Sequence, residues 1–153
     1  MRLVVQRVSR AAVRVDGQVV GEIERGSVVL LGIGAGDDAA LADRMADKLA
    51  GLRYFQDAAG HTNLTLADVE GSLLVISQFT LYADLRRGRR PGFTEAALPE
   101  VAAPLVDRFV ERLRALGHRV ATGRFGATMD VELVNDGPFT LVVDSARDLG
   151  PNQ

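Results

Sequence analysis

The amino-acid sequence predicts an α+β fold in which β structure dominates, two helices pack on it and the connections are mostly antiparallel. Short apolar segments bounded by turn residues indicate strands, and two longer segments carry apolar residues at helical spacing. Asp16-Gly17 stands between alternating apolar positions, which is the signal of a type I′ hairpin. The 153 residues contain no repeat and no linker-like stretch, so a single domain is expected over 1–153.

Strands are predicted where apolar residues alternate or run together over a few positions. Residues 27–33 are apolar on both faces, which is typical of a buried central strand, and 72–82 form a second such run. Polar Ser77, Gln78 and Thr80 interrupt the end of the second run. The predicted strands are 2–9, the two arms of a hairpin over 11–23, 27–33, 72–82, 128–134 and 139–143.

Two helices are predicted from apolar residues that recur every three or four positions. The first is expected over 38–55, with Asp37 or Asp38 as its N-cap. The second runs to about Leu116 and stops at Gly117. Their apolar faces are formed by Leu41, Met45, Leu49 and Leu52 in the first helix and by Val101, Leu105, Phe109 and Leu113 in the second.

The composition is typical of a soluble globular protein, with 47% hydrophobic residues, 25% charged residues and a formal net charge of -2. The chain has no cysteine, which excludes disulfides, thiolate metal sites and a cysteine nucleophile. The N-terminal segment carries frequent charges and no apolar run is long enough for a membrane span, so a cytoplasmic location is expected. Nearly all basic residues are arginines, a usage that fits phosphate recognition and, equally well, the base composition of a genome.

The segment GIGAGDD at 32–38 follows a predicted strand and precedes a helix, as a phosphate-binding glycine loop does. Its third glycine, Gly36, comes one position too early for the G-x-G-x-x-G motif. In addition, Asp37 and Asp38 would repel a pyrophosphate, and a hairpin rather than a βαβ unit precedes the segment. We therefore interpret it as a structural turn.

No familiar set of catalytic side chains stands out in this sequence. His61 lies in a polar loop and His118 follows the predicted stop of the second helix, and neither belongs to a recognisable catalytic triad. No cluster of His, Asp and Glu has the spacing of metal ligands, so no metal or other cofactor is expected.

The most informative segment is SQFTLYADLRRGRRPGF, residues 77–93. Polar side chains at the end of an apolar strand are costly unless they are paired or face a cavity. These side chains therefore either satisfy neighbouring backbone groups or form the floor of a small polar pocket. The run Arg86, Arg87, Arg89 and Arg90 is either a solvated loop or a phosphate clamp beside that pocket.

The segment VNDGPFTLVVDS at 134–145 contains a second anomaly. Two apolar runs flank 135–138 like the arms of a hairpin, yet Pro138 has no N–H with which a second strand could begin pairing. Gly137 lets the backbone approach a ligand closely, and carbonyl groups left unpaired beside the proline can point outward. Main-chain oxygens at this position could therefore face a binding site.

The chain resembles the D-aminoacyl-tRNA deacylases of the bacterial and eukaryotic type. The similarity covers nearly the whole chain, through QRVSRAAVRVDG, GLRYF, SQFTLYAD, GRRPGF and FGATMDVELVNDGPFT. The motifs at 77–80 and 135–140 are specific at this separation. Two positions depart from the family pattern, because Phe139 stands where valine is commoner and Gly92 stands where serine is commoner.

The resemblance implies a strongly twisted, barrel-like sheet and a homodimer whose active sites lie at the subunit interface. It also implies hydrolysis of the ester that joins a D-amino acid, or glycine, to the terminal adenosine of tRNA. Neither a membrane nor DNA is expected as a partner. The implied site residues are Ser77, Gln78, Phe79 and Thr80 on the adenosine and carbonyl side, Met129 and Phe125 in the pocket wall, and Gly137 and Pro138, which arrive from the other subunit with a cis peptide bond.

This site suggests a mechanism that needs few side chains. A rigid main chain at 137–138 would fill the space that an L side chain needs, so it would exclude L residues, tolerate varied D residues and admit glycine. Backbone N–H groups near Phe79 and Thr80 would act as an oxyanion hole, while the ribose 2′-hydroxyl assists and Thr80 orients a water molecule.

Two other functions remain open at this level. The first is a serine esterase for small acyl esters, in which Ser77 attacks and His61 or His118 acts as the base. The second is a non-catalytic RNA- or protein-binding module that uses the arginine run.

Overall fold

The computed structural model describes residues 1–151, so the last two positions of the predicted domain lie outside the described part. The strands are β1 (Arg2–Val15), β2 (Gln18–Ile23), β3 (Gly26–Gly32), β4 (Arg53–Gln56), β5 (Thr62–Thr65), β6 (Ser72–Ser77), β7 (Arg119–Thr122) and β8 (Asp130–Asp144). The helices are α1 (Ala39–Gly51), α2 (Pro99–Ala115) and the short α3 (Ser145–Asp148). A single 3₁₀ turn, Phe79–Tyr82, follows β6.

The main sheet has the strand order β2-β1-β3-β6-β7, and β8 pairs along the other edge of β1. β1 has three neighbours because β3 pairs with its first half, β2 with its second half and β8 with nearly its whole length. The pairings of β1 are antiparallel, whereas β6 runs parallel to both β3 and β7. β4 and β5 form a separate antiparallel pair. The predicted α+β fold with a mostly antiparallel sheet is confirmed.

The sheet curves until β2 lies against β7, which gives the barrel-like shape that the family resemblance implies. The approach is close, because a Cβ added to Gly21 would lie only 2.5 Å from the carbonyl oxygen of Thr122. Any larger residue at position 21 would therefore push the two strands apart. A small core lies between the closing strands and consists of Val8, Ala11, Val13, Ile23, Val28, Leu74 and Ile76.

The two predicted helices are confirmed, and they pack side by side on the sheet. Asp38 caps α1, because its carboxylate accepts a hydrogen bond from an N–H group of the first turn. Arg108 and Arg112 of α2 each donate two hydrogen bonds, to Asp43 and Asp47 of α1 respectively. No helix in residues 1–151 is both long and apolar enough to cross a bilayer. The larger core lies between helices and sheet and includes Leu3, Val29, Met45, Leu49, Leu73, Phe109 and Leu113.

The first helix ends earlier than predicted. The prediction was 38–55, but α1 stops at Gly51, and Leu52 already has extended backbone angles of φ -67° and ψ 138°. The prediction was wrong because Leu52, Tyr54 and Phe55 continue a spacing of apolar residues that also suits a helix. The structure instead buries Tyr54 and Phe55 from the short strand β4.

Several strand limits also differ from the prediction. Residues 2–9 and the first arm of the 11–23 hairpin are one continuous strand, β1, because buried positions recur on both sides of an exposed pair at 9 and 10. The hairpin turn itself is confirmed, since Asp16 and Gly17 have φ angles of 50° and 78° as a type I′ turn requires. The strand predicted over 72–82 ends at 77, where the chain enters the 3₁₀ turn. The four-residue strands β5 and β7 were not predicted, because segments so short carry little periodicity.

The segment at 134–145 is not a hairpin. The predicted strand 128–134, which begins two residues too early, and the predicted strand 139–143 are both parts of β8 and pair with the same neighbour, β1. Val8 lies opposite Asn135 and Gln6 lies opposite Thr140, so the residues between 135 and 140 bulge out of the strand. Gly137 and Pro138 stand in this bulge, where the missing N–H of proline removes no bond from the ladder.

Candidate active site

The glycine-rich segment at 32–38 is a turn, as predicted. The N–H of Gly34 donates to the Asp37 carboxylate at 2.7 Å, and the N–H of Asp37 donates back to the Gly34 carbonyl at 3.1 Å. Asp37 therefore occupies the position where a phosphate would need backbone N–H groups, while Asp38 caps α1. A nucleotide site here has no support.

A cavity of about 510 Å³ lies at the carboxyl ends of the parallel strands β3 and β6, under the start of α2. Ligands commonly bind at this end of parallel strands, because the chain leaves the sheet there and exposes backbone groups. Three of the predicted site residues on the β6 side, Ser77, Gln78 and Phe79, line it. The predicted wall residues Phe125 and Met129 line it as well. The remaining lining residues are mostly apolar and include Leu31, Ile33, Ala97, Leu98, Pro99, Ala102, Val106 and Val131.

The 3₁₀ turn after β6 presents two backbone N–H donors that have no acceptor in residues 1–151. The N–H of Gln78 donates to the Leu31 carbonyl at 2.8 Å, and the N–H of Leu81 donates to the Gln78 carbonyl at 3.3 Å. The two N–H groups between them, those of Phe79 and Thr80, open the helical turn, where no helical carbonyl precedes them as an acceptor. The Gln78 side-chain amide donates to the Thr80 hydroxyl and so fixes these two polar groups relative to each other.

Three aromatic side chains surround this cavity and remain partly exposed. Phe79 is 58% exposed, Phe125 is 41% exposed and Phe93 is 36% exposed. The rings of Phe79 and Phe93 meet edge to face, with centroids 4.9 Å apart and planes at 71°. Phe93 was not among the predicted site residues, although it closes the segment 77–93 and could have been found as the first aromatic residue after the arginine run.

The backbone at Gly137-Pro138 is held by a buried arginine. Arg7 is 6% exposed, and it donates to the Asp136 carbonyl at 3.0 Å and to the Tyr54 carbonyl at 2.9 Å. Gly137 has φ 137°, and a Cβ added to it would lie 3.0 Å from Nη2 of Arg7, so both conformation and space favour glycine. The peptide bond between Gly137 and Pro138 is cis.

Phe139, one of the two departures from the family pattern, packs beneath the same bulge. Its ring stacks on Tyr54 at a centroid distance of 6.4 Å and lies 4.6 Å from the guanidinium carbon of Arg7. The N–H of Phe139 donates to the side-chain oxygen of Asn135 at 2.9 Å, which ties together the two ends of the bulge. The larger aromatic ring therefore supports the bulge from inside.

Tyr54 links the bulge to the sheet. Its hydroxyl lies 2.8 Å from the hydroxyl of Ser27 in β3, and both side chains are buried. Burial raises the pKa of Tyr54 to about 12, although the hydrogen bond to Ser27 opposes this shift. Tyr54 is therefore a neutral structural group at physiological pH.

A single chain does not bring all the predicted site residues together. Gly137 and Pro138 are exposed, and neither lines the cavity that contains Ser77, Gln78 and Phe79. Thr80 is also exposed and stands just outside the cavity lining. The bulge and the cavity are thus two separate surfaces of the described chain.

The two histidines stand away from the cavity. His61 is exposed, with Asp57 4.0 Å away, and His118 is partly buried, which lowers its pKa. Within residues 1–151, neither lines the cavity beside Ser77, so neither histidine is placed to act as the base that the serine esterase hypothesis requires. Within residues 1–151, no three His, Asp or Glu side chains are grouped so that they could hold a metal ion.

The arginine run lies on an ordered loop, residues 84–93, which we call the arginine loop. Asp84 and Gly92 exchange two backbone hydrogen bonds of 2.7 and 3.0 Å at its base. Arg86 donates to both carboxylate oxygens of Asp84 at 2.8 Å and lies 3.7 Å from Glu95. Its hydrogen bond lowers the pKa of Asp84 to about 2.

The other three arginines of the loop differ from Arg86. Arg87, Arg89 and Arg90 are exposed, and no acidic group in residues 1–151 forms an ion pair with them. At Gly92, the second departure from the family pattern, an added Cβ would come no closer than 4.0 Å to other atoms. The commoner serine would therefore fit without changing the loop.

Comparison with known proteins assigns the family. Residues 4–144 match the family model described as D-Tyr-tRNA(Tyr) deacylase. A D-aminoacyl-tRNA deacylase of Symbiobacterium thermophilum is 60% identical over 147 residues, which cover 96% of this chain and 97% of that protein. Another, from a Roseiflexus species, is 60% identical over 146 residues, covering 95% of this chain and 94% of its own.

Two solved structures share the fold. One, titled "c-Myc DNA Unwinding Element Binding Protein", is 39% identical with a TM-score of 0.89 and covers 95% of this chain and 99% of its own. The other, a probable eukaryotic D-amino acid tRNA deacylase, is 19% identical with a TM-score of 0.83, covers 93% of this chain and 97% of its own, and supports the fold alone. With a family model that spans most of the chain and relatives at 60% identity, the chain belongs to the D-Tyr-tRNA(Tyr) deacylase family.

Proposed function

We propose that this protein hydrolyses the ester bond of D-aminoacyl-tRNA and releases the free D-amino acid and tRNA. The observation that carries the proposal is the pair of N–H groups at Phe79 and Thr80, which have no hydrogen-bond acceptor in residues 1–151 and open the 3₁₀ turn beside the cavity. The names of the relatives at 60% identity support the same reaction. A cytoplasmic location follows from this substrate.

The two backbone donors serve the tetrahedral intermediate. Attack on the ester carbonyl places negative charge on its oxygen, and donors fixed by the backbone stabilise that charge without having to reorient. Losing one such donor typically costs about 10²–10³ in rate. Thr80, held by Gln78, orients the attacking water, and the neighbouring ribose 2′-hydroxyl acts as an intramolecular catalyst. No base from a histidine is required.

The proposed active enzyme is a homodimer in which the bulge at 137–138 of one subunit closes the cavity of the other. Three features support this arrangement. The bulge is anchored by Arg7, it is exposed, and it does not line the cavity of its own chain. In addition, β8 exposes Val131, Val134 and Val142, and Val131 also lines the cavity, so the apolar strand face continues into the site. A second copy on this face would bury these side chains and bring its bulge near the cavity.

In this arrangement the site distinguishes D- from L-aminoacyl groups by sterically excluding the L side chain. The glycine and proline backbone fills the space that an L side chain would need, whereas a D side chain points away from that wall. No fitted side-chain pocket is then required, so varied D residues are accepted, and glycine is cleaved because it has nothing to exclude.

The test is deacylation of matched D-aminoacyl-, L-aminoacyl- and glycyl-tRNA by the purified protein, with a metal chelator present. We expect release of D-amino acid and glycine and retention of the L-amino acid. Equal rates of cleavage of D- and L-aminoacyl-tRNA would overturn selection by exclusion. Binding of tRNA without cleavage would favour a non-catalytic module.

Two additional assays test the remaining alternatives, a serine esterase and a DNA-binding protein. A small chromogenic ester, assayed with His61→Ala and His118→Ala, tests the serine esterase, and we expect neither histidine to matter. Duplex DNA is included as a competitor because one related structure carries a DNA-binding title. We expect no competition from DNA at tRNA concentrations that saturate the enzyme.

A further inference from the structure

The cavity has room for only the last residue of an RNA chain. Its volume of about 510 Å³ lies within the range of pockets that hold one small molecule. The preceding nucleotides of a bound tRNA must therefore lie on the protein surface outside the cavity. Phe93 is the point at which this surface begins, because it lines the cavity and is also part of the arginine loop.

The surface beside Phe93 has an exposed aromatic edge. Phe79 and Phe93 together present partly exposed rings that are fixed against each other by their edge-to-face contact. Exposed, rigid aromatic rings bind unpaired bases by stacking, and they do so for any base because every base has a π face. Large exposed apolar side chains grouped beside a cavity commonly mark an interaction site.

The arginine loop adds positive charge beside this edge. Arg86 is already neutralised by Asp84 and Glu95, so it stabilises the loop rather than contacting a ligand. Arg87, Arg89 and Arg90 keep their charge available to a ligand, since no ion pair in residues 1–151 occupies them. A loop whose base is hydrogen-bonded and whose exposed arginines are unpaired is suited to the phosphates of a single strand.

We infer that the arginine loop is a subsite for the nucleotides that precede the terminal adenosine of the tRNA acceptor end. Phe93 stacks with the penultimate base, Arg87, Arg89 and Arg90 contact the phosphates on its 5′ side, and Arg86 holds the loop in shape. This inference rests on the proposed function, because it assumes that an aminoacylated adenosine occupies the cavity.

The decisive experiment compares two substrates that share the ester but differ in the rest of the RNA. One is a D-aminoacyl-adenosine, and the other is the same D-amino acid on full-length tRNA. For Phe93→Leu, which keeps an apolar side chain but removes the ring, kcat/KM on tRNA should fall by about 5- to 150-fold. The value for the aminoacyl-adenosine should fall less, because that substrate meets Phe93 only where the ring lines the cavity.

The charged part of the subsite is tested by salt dependence. The triple variant Arg87→Ala/Arg89→Ala/Arg90→Ala should reduce the slope of log(kcat/KM) against log salt concentration on tRNA by about 2, because each single-strand phosphate contact contributes about 0.7. The matched control is Arg108→Ala/Arg112→Ala, which removes two exposed arginines from the helix pair. We expect this control to leave the slope unchanged.

The outcomes separate this inference from the proposed function. Equal losses on both substrates for Phe93→Leu would show that Phe93 only lines the cavity, and that result would overturn the inference while the deacylase stands. An unchanged salt slope in the triple variant would remove the arginines from the subsite. If the wild-type protein cleaves neither substrate, the proposed function fails, and the inference fails with it.

Discussion

Arg7 shows how one residue can shape a site that it does not touch. Its guanidinium is buried, and it binds the carbonyl groups of Asp136 and Tyr54 while it lies over the ring of Phe139. A buried guanidinium is stable only when its donors are paired, so this geometry is strongly specified. The sequence offered no signal for this role, because a lone arginine in an amphipathic strand is usually exposed.

We expect Arg7→Lys to loosen the bulge and weaken discrimination between the two hands. Lysine keeps the charge but cannot reproduce the planar fork that reaches two carbonyls at once. The free energy of unfolding should fall by about 1.5–3 kcal/mol in urea denaturation, as expected for a lost hydrogen bond from a charged group. Cleavage of L-aminoacyl-tRNA should rise relative to the D form. Arg10→Lys, at an exposed position in the same strand, is the control and should change neither property.

The pH dependence of tyrosine ionisation tests the burial of the two tyrosine side chains. Burial raises the pKa of Tyr54 from 10.0 to about 12, and burial, with help from Asp37, raises that of Tyr82 as well. Both folded pKa values lie above the unfolded value, so the stability they contribute is complete below about pH 10 and is lost as the pH rises toward 12. Tyrosinate absorbance of the folded protein should therefore stay low at pH 10 and 11, since the chain has no other tyrosine. A transition centred near pH 10 in folded protein would contradict this burial.

At the scale of elements, the sequence predicted helices and strands well where a hydrophobic pattern extended over many residues. It predicted them poorly where the pattern covered only a few residues. The Asp16-Gly17 turn and most of the two helical faces were predicted correctly, because each rests on a strong local pattern. Two predicted face residues were wrong, since Leu52 lies beyond the end of α1 and Val101 is 45% exposed. The end of α1 was missed, since apolar residues at 52–55 fit a helix or a strand equally and only the core decides between them. β8 was divided in two because a bulge and a hairpin share the same turn residues.

The residues of the candidate site also fall into those that a local sequence pattern predicted and those that it did not. Ser77 and Gln78 were found because polar residues end an apolar strand, and the cavity lies there, whereas Phe79 came from the family resemblance. The family resemblance, rather than any local pattern, added Met129 and Phe125 to the cavity wall. Phe93 and Arg7 were missed, since their roles depend on contacts between distant segments that no periodicity encodes.

A substitution at the start of β3 tests how closely the backbones of β3 and β6 pack. A Cβ on Gly26 would lie 1.8 Å from the carbonyl oxygen of Ser72, its partner in β6, and neither backbone can move without breaking the pairing. We expect Gly26→Ala to lower the free energy of unfolding by more than about 3 kcal/mol, because overpacking in well-ordered structure typically costs 1–3 kcal/mol and this clash is with backbone.

The control for that experiment is Gly51→Ala at the end of α1. An added Cβ at Gly51 meets nothing within 4 Å, and alanine is the better helix former. This variant should be neutral or more stable by up to about 1 kcal/mol in the same urea titration. A Gly26→Ala variant that is as stable as Gly51→Ala would mean that the clash at Gly26 relaxes easily.

At the scale of the whole molecule, the proposed dimer brings together two separate surfaces of the chain. The cavity is open beside Val131, and the bulge at 137–138 projects from the same strand without reaching the cavity. β8 forms an exposed sheet edge with a partly apolar face, and such edges are normally covered. A two-fold pairing would satisfy both needs at once, because the symmetry that covers one cavity also covers the other.

Mixed dimers can show whether the bulge acts across the interface. One variant carries Gln78→Ala/Thr80→Ala. These changes slow ester cleavage at the site that contains its 3₁₀ turn, but they leave its bulge normal. The other carries Gly137→Val, which keeps a normal turn but distorts the bulge, because valine tolerates neither φ 137° nor the 3.0 Å approach to Arg7. As a homodimer, the second variant should cleave L-aminoacyl-tRNA at a substantial rate.

In the mixed dimer, a cross-subunit site combines the normal turn of the second variant with the normal bulge of the first. That dimer should cleave D-aminoacyl-tRNA at about half the wild-type rate per dimer and should lose the fast L cleavage, since only its slow site has a distorted bulge. If each subunit instead used its own bulge, the normal turn would face the distorted bulge, and L cleavage would persist at about half the rate of the Gly137→Val homodimer. Tagging the two chains differently and purifying the mixed species isolates this single comparison.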